Sequence, residues 1–133
     1  MVIDASALVA ILLGEPEAGR FLDVLDACAE TLVISPVSVF ETVAAVVQVT
    51  GCTVVEARAS VSAALDDYGV AITEISIEAG EAAITAFDRF CKGRHPAQLN
   101  MGDCYSYALA KTMRLPILFN GDDFSRTDLE AAA

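Results

Sequence analysis

At 133 residues the chain suits a single domain spanning 1–133, and its 19 acidic against 8 basic side chains, for a net charge of −11, argue against a general phosphate-binding surface. Hydrophobic residues make up 55% of the chain and the mean hydropathy is +0.53, yet charges or turn residues interrupt every apolar run before the roughly 18 residues that a membrane span needs. The cysteines Cys28, Cys52, Cys91 and Cys104 form no CxxC pair and His95 is the one histidine, which argues against zinc and for free thiols in a reducing, cytoplasmic compartment.

No basic segment precedes the first apolar run, so a signal peptide is not expected. The hydrophobic surplus points instead to a buried parallel sheet plus an apolar partner surface. If the substrate is a nucleic acid, a metal must offset part of the acidic charge, or the few bases must gather near the site.

The chain opens with Met1-Val2-Ile3, a short apolar strand that runs into Asp4, Ala5 and Ser6. Ala5–Leu13 reads as a helix ended near Gly14. Glu15-Pro16-Glu17 is expected to open a second helix, with Pro16 in its first turn, running to about Ala29 with Phe21, Leu22 and Leu25 on one face. Thr31–Ile34 is the second strand. Ser35-Pro36 reads as an N-cap and first helical residue, and the helix that follows carries Val37, Phe40, Glu41, Ala44, Ala45 and Gln48 before Gly51 closes it.

Thr53 or a neighbour begins a further helix, Val54 to about Tyr68, with Val55, Ala59, Ala63 and Tyr68 as a loose apolar stripe. Val70–Ile75 is the third strand, rich in β-branched residues. Ser76–Cys91 is helical, with Ile77, Ala83, Ile84, Phe87 and Phe90 expected in the core. Lys92–Leu99 is a loop holding the densest basic cluster: Lys92, Arg94 and His95. Asn100 caps a helix over Met101–Met113. Leu115–Phe119 is the fourth strand, Asn120–Asp123 a turn, and the tail from Phe124 weakly helical. This order predicts an α/β sandwich with a parallel sheet and helices on both faces.

Four acidic positions then share one topological place. Asp4 ends the first strand, Glu41 lies on the second turn of the helix after the second strand, Asp103 sits in the first turn of the helix after the basic loop, and Asp122 with Asp123 follows the fourth strand. Strand ends on one edge of a parallel sheet are neighbours, so distant acids converge there. Each has a plainer role: Asp4 or Ser6 as a helix cap, Asp103 as a favourable charge at a helix N-terminus, Asp122 and Asp123 as turn residues, Lys92–Leu99 as a solvated surface turn. Glu41 is harder to dismiss, because its neighbours are apolar. Clustered carboxylates repel unless a cation joins them. Hard oxygen ligands suit Mg²⁺ or Mn²⁺, and such ions promote phosphodiester hydrolysis.

The start MVIDAS, the helix around Phe40-Glu41, the run Leu99–Ala110 (LNMGDCYSYALA) and the close Leu118–Leu129 (LFNGDDFSRTDL) resemble PIN-domain ribonucleases, and more narrowly the VapC-type toxins of type II toxin–antitoxin pairs. The resemblance covers essentially the whole chain. It implies a PIN-like three-layer α/β/α sandwich with a central, mostly parallel twisted sheet. It also implies a Mg²⁺-dependent endoribonuclease acting on RNA, with transfer or ribosomal RNA as the usual targets, and Mn²⁺ as an alternative ion. The near-constant acids of that family match Asp4, Glu41 and Asp103, with Asp4 and Asp103 as the metal ligands. Its fourth acid falls among Asn120, Asp122 and Asp123, of which Asp122 is chosen. Ser6 matches a hydroxyl that steadies the first Asp. Lys92, Arg94 and His95 are candidate RNA backbone contacts. The expected partners are a second copy of the chain and a cognate antitoxin that silences the enzyme, with DNA reached only through that antitoxin. No membrane association is expected.

Three rivals remain open on sequence: an inert binding module of the same fold, a PIN nuclease of RNA maturation or decay, and a phosphotransfer domain. The last fits poorly, since Asp4 is followed by Ala5-Ser6 rather than by the second Asp of a D-x-D phosphatase pattern, and Asn120-Gly121 rather than Lys follows the last strand.

Overall fold

A computed structural model describes residues 1–133. Four short strands are present: β1 (Val2–Ile3), β2 (Leu32–Ile34), β3 (Val70–Ile72) and β4 (Ile117–Leu118). Between them lie α1 (Ala5–Leu13), α2 (Ala18–Ala27), α3 (Pro36–Thr50), α4 (Val54–Asp67), α5 (Ile77–Phe90) and α6 (Met101–Met113). The strand order is β3-β2-β1-β4, with every pairing parallel. Alternate strand residues face opposite sides, as the pleat requires. Val2, Val33 and Ile117 join α5 and α6 in one core, while Ile3, Ile34 and Leu118 pack with α1, α2 and α4 in the other. The result is the expected α/β/α layering, with β1 flanked on both sides.

Local chemistry explains most helix boundaries. Asp4, Ser35, Thr53, Ser76 and Asn100 each accept a backbone N–H as N-caps of α1, α3, α4, α5 and α6. Pro36 follows its cap at N1, where a missing N–H costs nothing. Gly14 and Gly51 close α1 and α3 with φ of 65° and 72°, a left-handed conformation that glycine adopts without strain.

Several expectations need correction. The strands are shorter than their apolar runs, because each extends only as far as its neighbour can pair: β2 offers three residues to β3, and β1 offers two to β4. Glu15-Pro16-Glu17 forms a turn, with Glu15 N–H donating to the Ala10 carbonyl and Ala18 N–H to that of Glu15, so α2 starts at Ala18 and Pro16 precedes it. The tail makes one 3₁₀ turn at Phe124–Arg126, turns again at Thr127 and Asp128, and meets the sheet where Ala131 bridges Ile117 in parallel.

The inward faces of α4 and α5 also differ. Ala57, Val61, Ala64 and Leu65 are buried in α4, and Val55 is exposed. In α5, Ala79, Ala83, Ala86 and Phe90 are buried, while Ile77, Ile84 and Phe87 are exposed. Small residues on α5 let it pack closely on α6, and that packing turns the larger apolar side chains outward. Leu8 belongs to the core, and Ile11 and Leu12 pack half-buried against it.

Candidate active site

The carboxyl ends of β1, β2 and β4 lie side by side, and the side chains that follow them meet. Asp4, Ser6, Glu41, Asn100 and Asp103 line one cleft of about 240 Å³, with Ala5, Val9 and Ala45 as its apolar walls.

Asp4 is the fixed member. Only 2% of its surface is exposed. Its Oδ2 accepts from the Ser6 backbone N–H at 2.9 Å and from Ser6 Oγ at 2.6 Å, and its Oδ1 accepts from Ser106 Oγ at 2.6 Å. Asp4 N–H donates to the Leu118 carbonyl, which ties the residue to the end of β4. Ser6 Oγ also accepts from the Asn120 N–H at 3.0 Å, so one hydroxyl joins β1 to the turn after β4. Ser6 therefore ties the Asp4 carboxylate to the turn after β4.

Asp103 sits at the third position of α6. Its Oδ2 accepts from the Asn100 N–H at 2.8 Å, and Asn100 Oδ1 accepts from the Asp103 N–H at 3.0 Å. This reciprocal capping box aims the carboxylate while leaving its other oxygen free. Burial and the charges of Asp4 and Asp123 push its pKa up to about 6, against the lowering effect of the Asn100 N–H.

Glu41 reaches the cleft from α3. Burial first, then the charges of Asp4 and Asp103, push its pKa up to about 7. Its carboxylate lies where a Cβ on Gly102 would stand. The absence of a side chain at position 102 thus makes room for Glu41 against the first turn of α6.

The turn after β4 sorts the competing residues. Asn120 Nδ2 donates to Glu15 Oε2 at 3.0 Å, so that side chain is committed elsewhere. The charge of Asp123 is among the causes of the raised pKa of Asp103. Asp122 and Asp123 are both exposed, and the Asp122 carbonyl accepts from Ser125 Oγ.

The basic loop is tied at its neck by pairing of Cys91 with Leu99. His95 is held within it: its Nδ1 accepts from the Ala97 N–H at 3.1 Å, and its ring meets Phe90 edge-on at 5.1 Å. Lys92 and Arg94 are exposed and form no ion pair; the ion pairs are those of Arg89 and Lys111 with Asp128.

Three site features were not read from the sequence: Gly102, Ser106, and Ser38, whose Oγ lies 3.1 Å from Ser106 Oγ. The only sequence signal for the serines was hydroxyl residues within otherwise apolar helix faces.

Whether these residues suit a divalent ion can be judged from the donors. Asp4 Oδ1 and Asp103 Oδ1 keep lone pairs after their hydrogen bonds, and no cationic side chain is paired with any acid of the cleft. No three acidic side chains stand close enough to share one ion. Two carboxylate oxygens with water completing the shell is an arrangement typical of Mg²⁺. The residues fit such an ion.

Comparison with known proteins agrees with this picture. The PIN domain model matches residues 1–130. Ribonuclease VapC30 of Mycobacterium tuberculosis is 39% identical over 139 residues, covering 100% of this chain and 98% of its own. Ribonuclease VapC of Mycolicibacterium smegmatis is 40% identical over 137 residues, covering 98% of each. Among solved structures, M. tuberculosis VapC20, described as a Sarcin-Ricin loop cleaving toxin, superposes with a TM-score of 0.77 at 17% identity, over 96% of this chain and 95% of that one. A toxin–antitoxin complex from Klebsiella pneumoniae gives 0.70 at 19% identity, over 96% and 92%. With its acids gathered at the strand ends and these full-length likenesses, the chain belongs to the PIN-domain family, in its VapC branch.

Proposed function

We propose that this chain is the toxin of a type II toxin–antitoxin pair, an endoribonuclease that depends on Mg²⁺ or Mn²⁺. The observation that carries the reading is the meeting of Asp4, Glu41 and Asp103 in one cleft without a cationic side chain beside them. Asp4 and Asp103 would hold the ion. An ion held there would supply Lewis acidity for phosphodiester hydrolysis and lower the pKa of a water in the cleft.

The chain's own side chains do the rest. Ser6 and Ser106 fix the Asp4 carboxylate so that it need not reorganise when substrate arrives. Glu41 holds and orients water from the α3 side of the cleft. Asp123, in place of Asp122, supplies the fourth negative charge. Lys92 and Arg94, on the loop that leads into the Asn100 cap, contact the RNA backbone and offset part of the acidic field. His95 serves to shape that loop.

The partner reading is supported by exposed apolar surface. Phe40 is 74% exposed and lines, with Val39, Val43 and Val47, an apolar groove between α3 and α4, one residue from Glu41. An antitoxin segment laid there would reach the cleft and block it with a basic side chain. Ile84, Phe87 and Met101 border a second apolar hollow, between α5 and α6, which suits contact with a second copy of the chain. No helix is long and apolar enough to cross a membrane, and the four cysteines are free thiols, in keeping with action on RNA in a reducing cytoplasm.

The test is cleavage of total RNA by the partner-free protein with Mg²⁺ or Mn²⁺, with cleavage ends mapped. Asp4→Asn and Asp103→Asn should each lower the rate by about 10³-fold, the size of several kcal/mol of lost metal assistance. Cleavage at the parent rate by both variants would overturn the assignment.

A further inference from the structure

Hydroxyl residues inside the helices behave in two ways. Thr42, Thr50, Ser60, Thr85 and Thr112 each donate to the carbonyl four residues earlier in their own helix, the usual resting place for such groups. Ser38 and Ser106 do not. Both are fully buried, and both point across the α3–α6 contact toward Asp4. Ser106 Oγ lies 2.6 Å from Asp4 Oδ1, Ser38 Oγ 3.1 Å from Ser106 Oγ, and Ser35 Oγ 3.0 Å from Ser38 Oγ.

The direction of this row follows from counting protons. Each hydroxyl carries one. A carboxylate oxygen can only accept, so the Ser106 proton goes to Asp4. Ser106 must then accept from Ser38, and Ser38 must accept from Ser35. The Ser35 oxygen in turn accepts the Ser38 backbone N–H at 3.0 Å. All three hydroxyl dipoles therefore point at Asp4, and each polarises the next in a dry environment.

We propose that Ser38 and Ser106 are positioning residues for the Asp4 carboxylate, joined as one hydroxyl row that starts at the N-cap of α3, the helix that carries Glu41. The row sets which Asp4 lone pairs remain for a cation, and it couples the seat of Glu41 to that of Asp4. This rests on the reading of Asp4 as a metal ligand. The consequence is that Ser38, which touches no acid of the cleft, governs cation binding through Ser106.

Two measurements test it without RNA. The first is Mn²⁺ affinity by titration. Ser106→Ala should weaken binding by about 10-fold or more and Ser38→Ala by several-fold, the range typical of residues that orient a ligand, while Ser106→Thr returns most of the loss. If Ser106→Ala does not fold, Ser106→Cys, a weak donor of similar size, should show the same weakening. The second is the exchange rate of the Ser106 hydroxyl proton by NMR in metal-free protein. It should be slow in the parent and faster in Ser38→Ala. Parent-like Mn²⁺ affinity in both alanine variants, or unchanged Ser106 exchange in Ser38→Ala, would overturn the proposal. If the parent binds no Mn²⁺, the nuclease reading fails, and the exchange rates alone decide whether the row exists.

Discussion

The protein keeps acids in two contrasting settings. Asp128, in the tail, accepts from Tyr107 Oη at 2.6 Å and from Lys111 Nζ at 3.0 Å, with Arg89 at 3.7 Å. These partners hold its carboxyl below the usual range, the Tyr107 bond foremost, and the Tyr107 phenol is pushed up to about 12, chiefly by burial. In the cleft, burial first and then the charges of neighbouring acids push Glu41 and Asp103 up to about 7 and about 6. An acid supplied with cations by its own fold has a finished structural task. Acids brought together without them repel one another, and that repulsion is what the proposed cation would offset.

The contrast is broken most severely by spoiling the seat of Glu41. Gly102→Ala places a methyl group where that carboxylate lies. Cleavage should fall by about 10²-fold, as small misplacements in active sites do, and circular dichroism should report an unchanged fold. A parent-like rate would mean that the position of Glu41 is irrelevant to the chemistry.

A smaller effect separates the two adjacent aspartates. Asp123→Asn should slow cleavage by about 10-fold, since one charge bearing on Asp103 is lost, whereas Asp122→Asn should leave the rate unchanged. The reverse order would restore Asp122 to the fourth position.

The cleft should also betray itself in stability against pH. The folded-state pKa of Glu41 lies above its ordinary value of 4.5, at about 7. Between those values the folded protein binds more protons than the unfolded chain, so stability without metal falls as pH rises from about 4.5 to about 7 and then levels off. Glu41→Gln should flatten that slope and raise stability near pH 8 by about 1 kcal/mol after allowance for solvent screening. Adding Mg²⁺ to the parent should have a similar effect. Thermal melts across pH 4–9 decide it; a slope of equal size in the variant would assign the effect to other groups.

The converse holds at Asp128. Asp128→Asn should lower stability by about 1 kcal/mol, because its ion pairs are half-exposed and weak while its bond to Tyr107 is stronger. Cleavage should be unaffected. A loss of activity larger than the loss of stability would show that the tail, too, serves the chemistry.

Much of the architecture was readable because local chemistry fixed it. Ser35 and Asn100 cap their helices with bonds spanning three residues, and such bonds are encoded in short stretches of chain. The convergence of Asp4, Glu41 and Asp103 was legible for a different reason, since parallel topology sends strand ends to one edge. What could not be read depends on partners remote in sequence. Ile77, Ile84 and Phe87 look like core residues until α6 takes the alanine face of α5. Ser106 finds Asp4 across 102 positions, and Gly102 is required only because Glu41 arrives beside it. The choice between Asp122 and Asp123 depends on how one tight turn is oriented, which residue type does not specify.

The strand order has a consequence in time as well as in space. β1 lies between β2 and β4, and the backbone of Asp4 is secured by the Leu118 carbonyl. Synthesis delivers Asp4 before Ser106, which follows it by 102 positions, and before Leu118 and Asn120. Contacts of such long range close late. A growing chain therefore carries Asp4 through that interval without the groups that orient it, and the cleft is assembled only when β4 docks beside β1. For a protein that cuts RNA, and is made on a ribosome built of RNA, the fold itself postpones competence until translation of the sheet is complete.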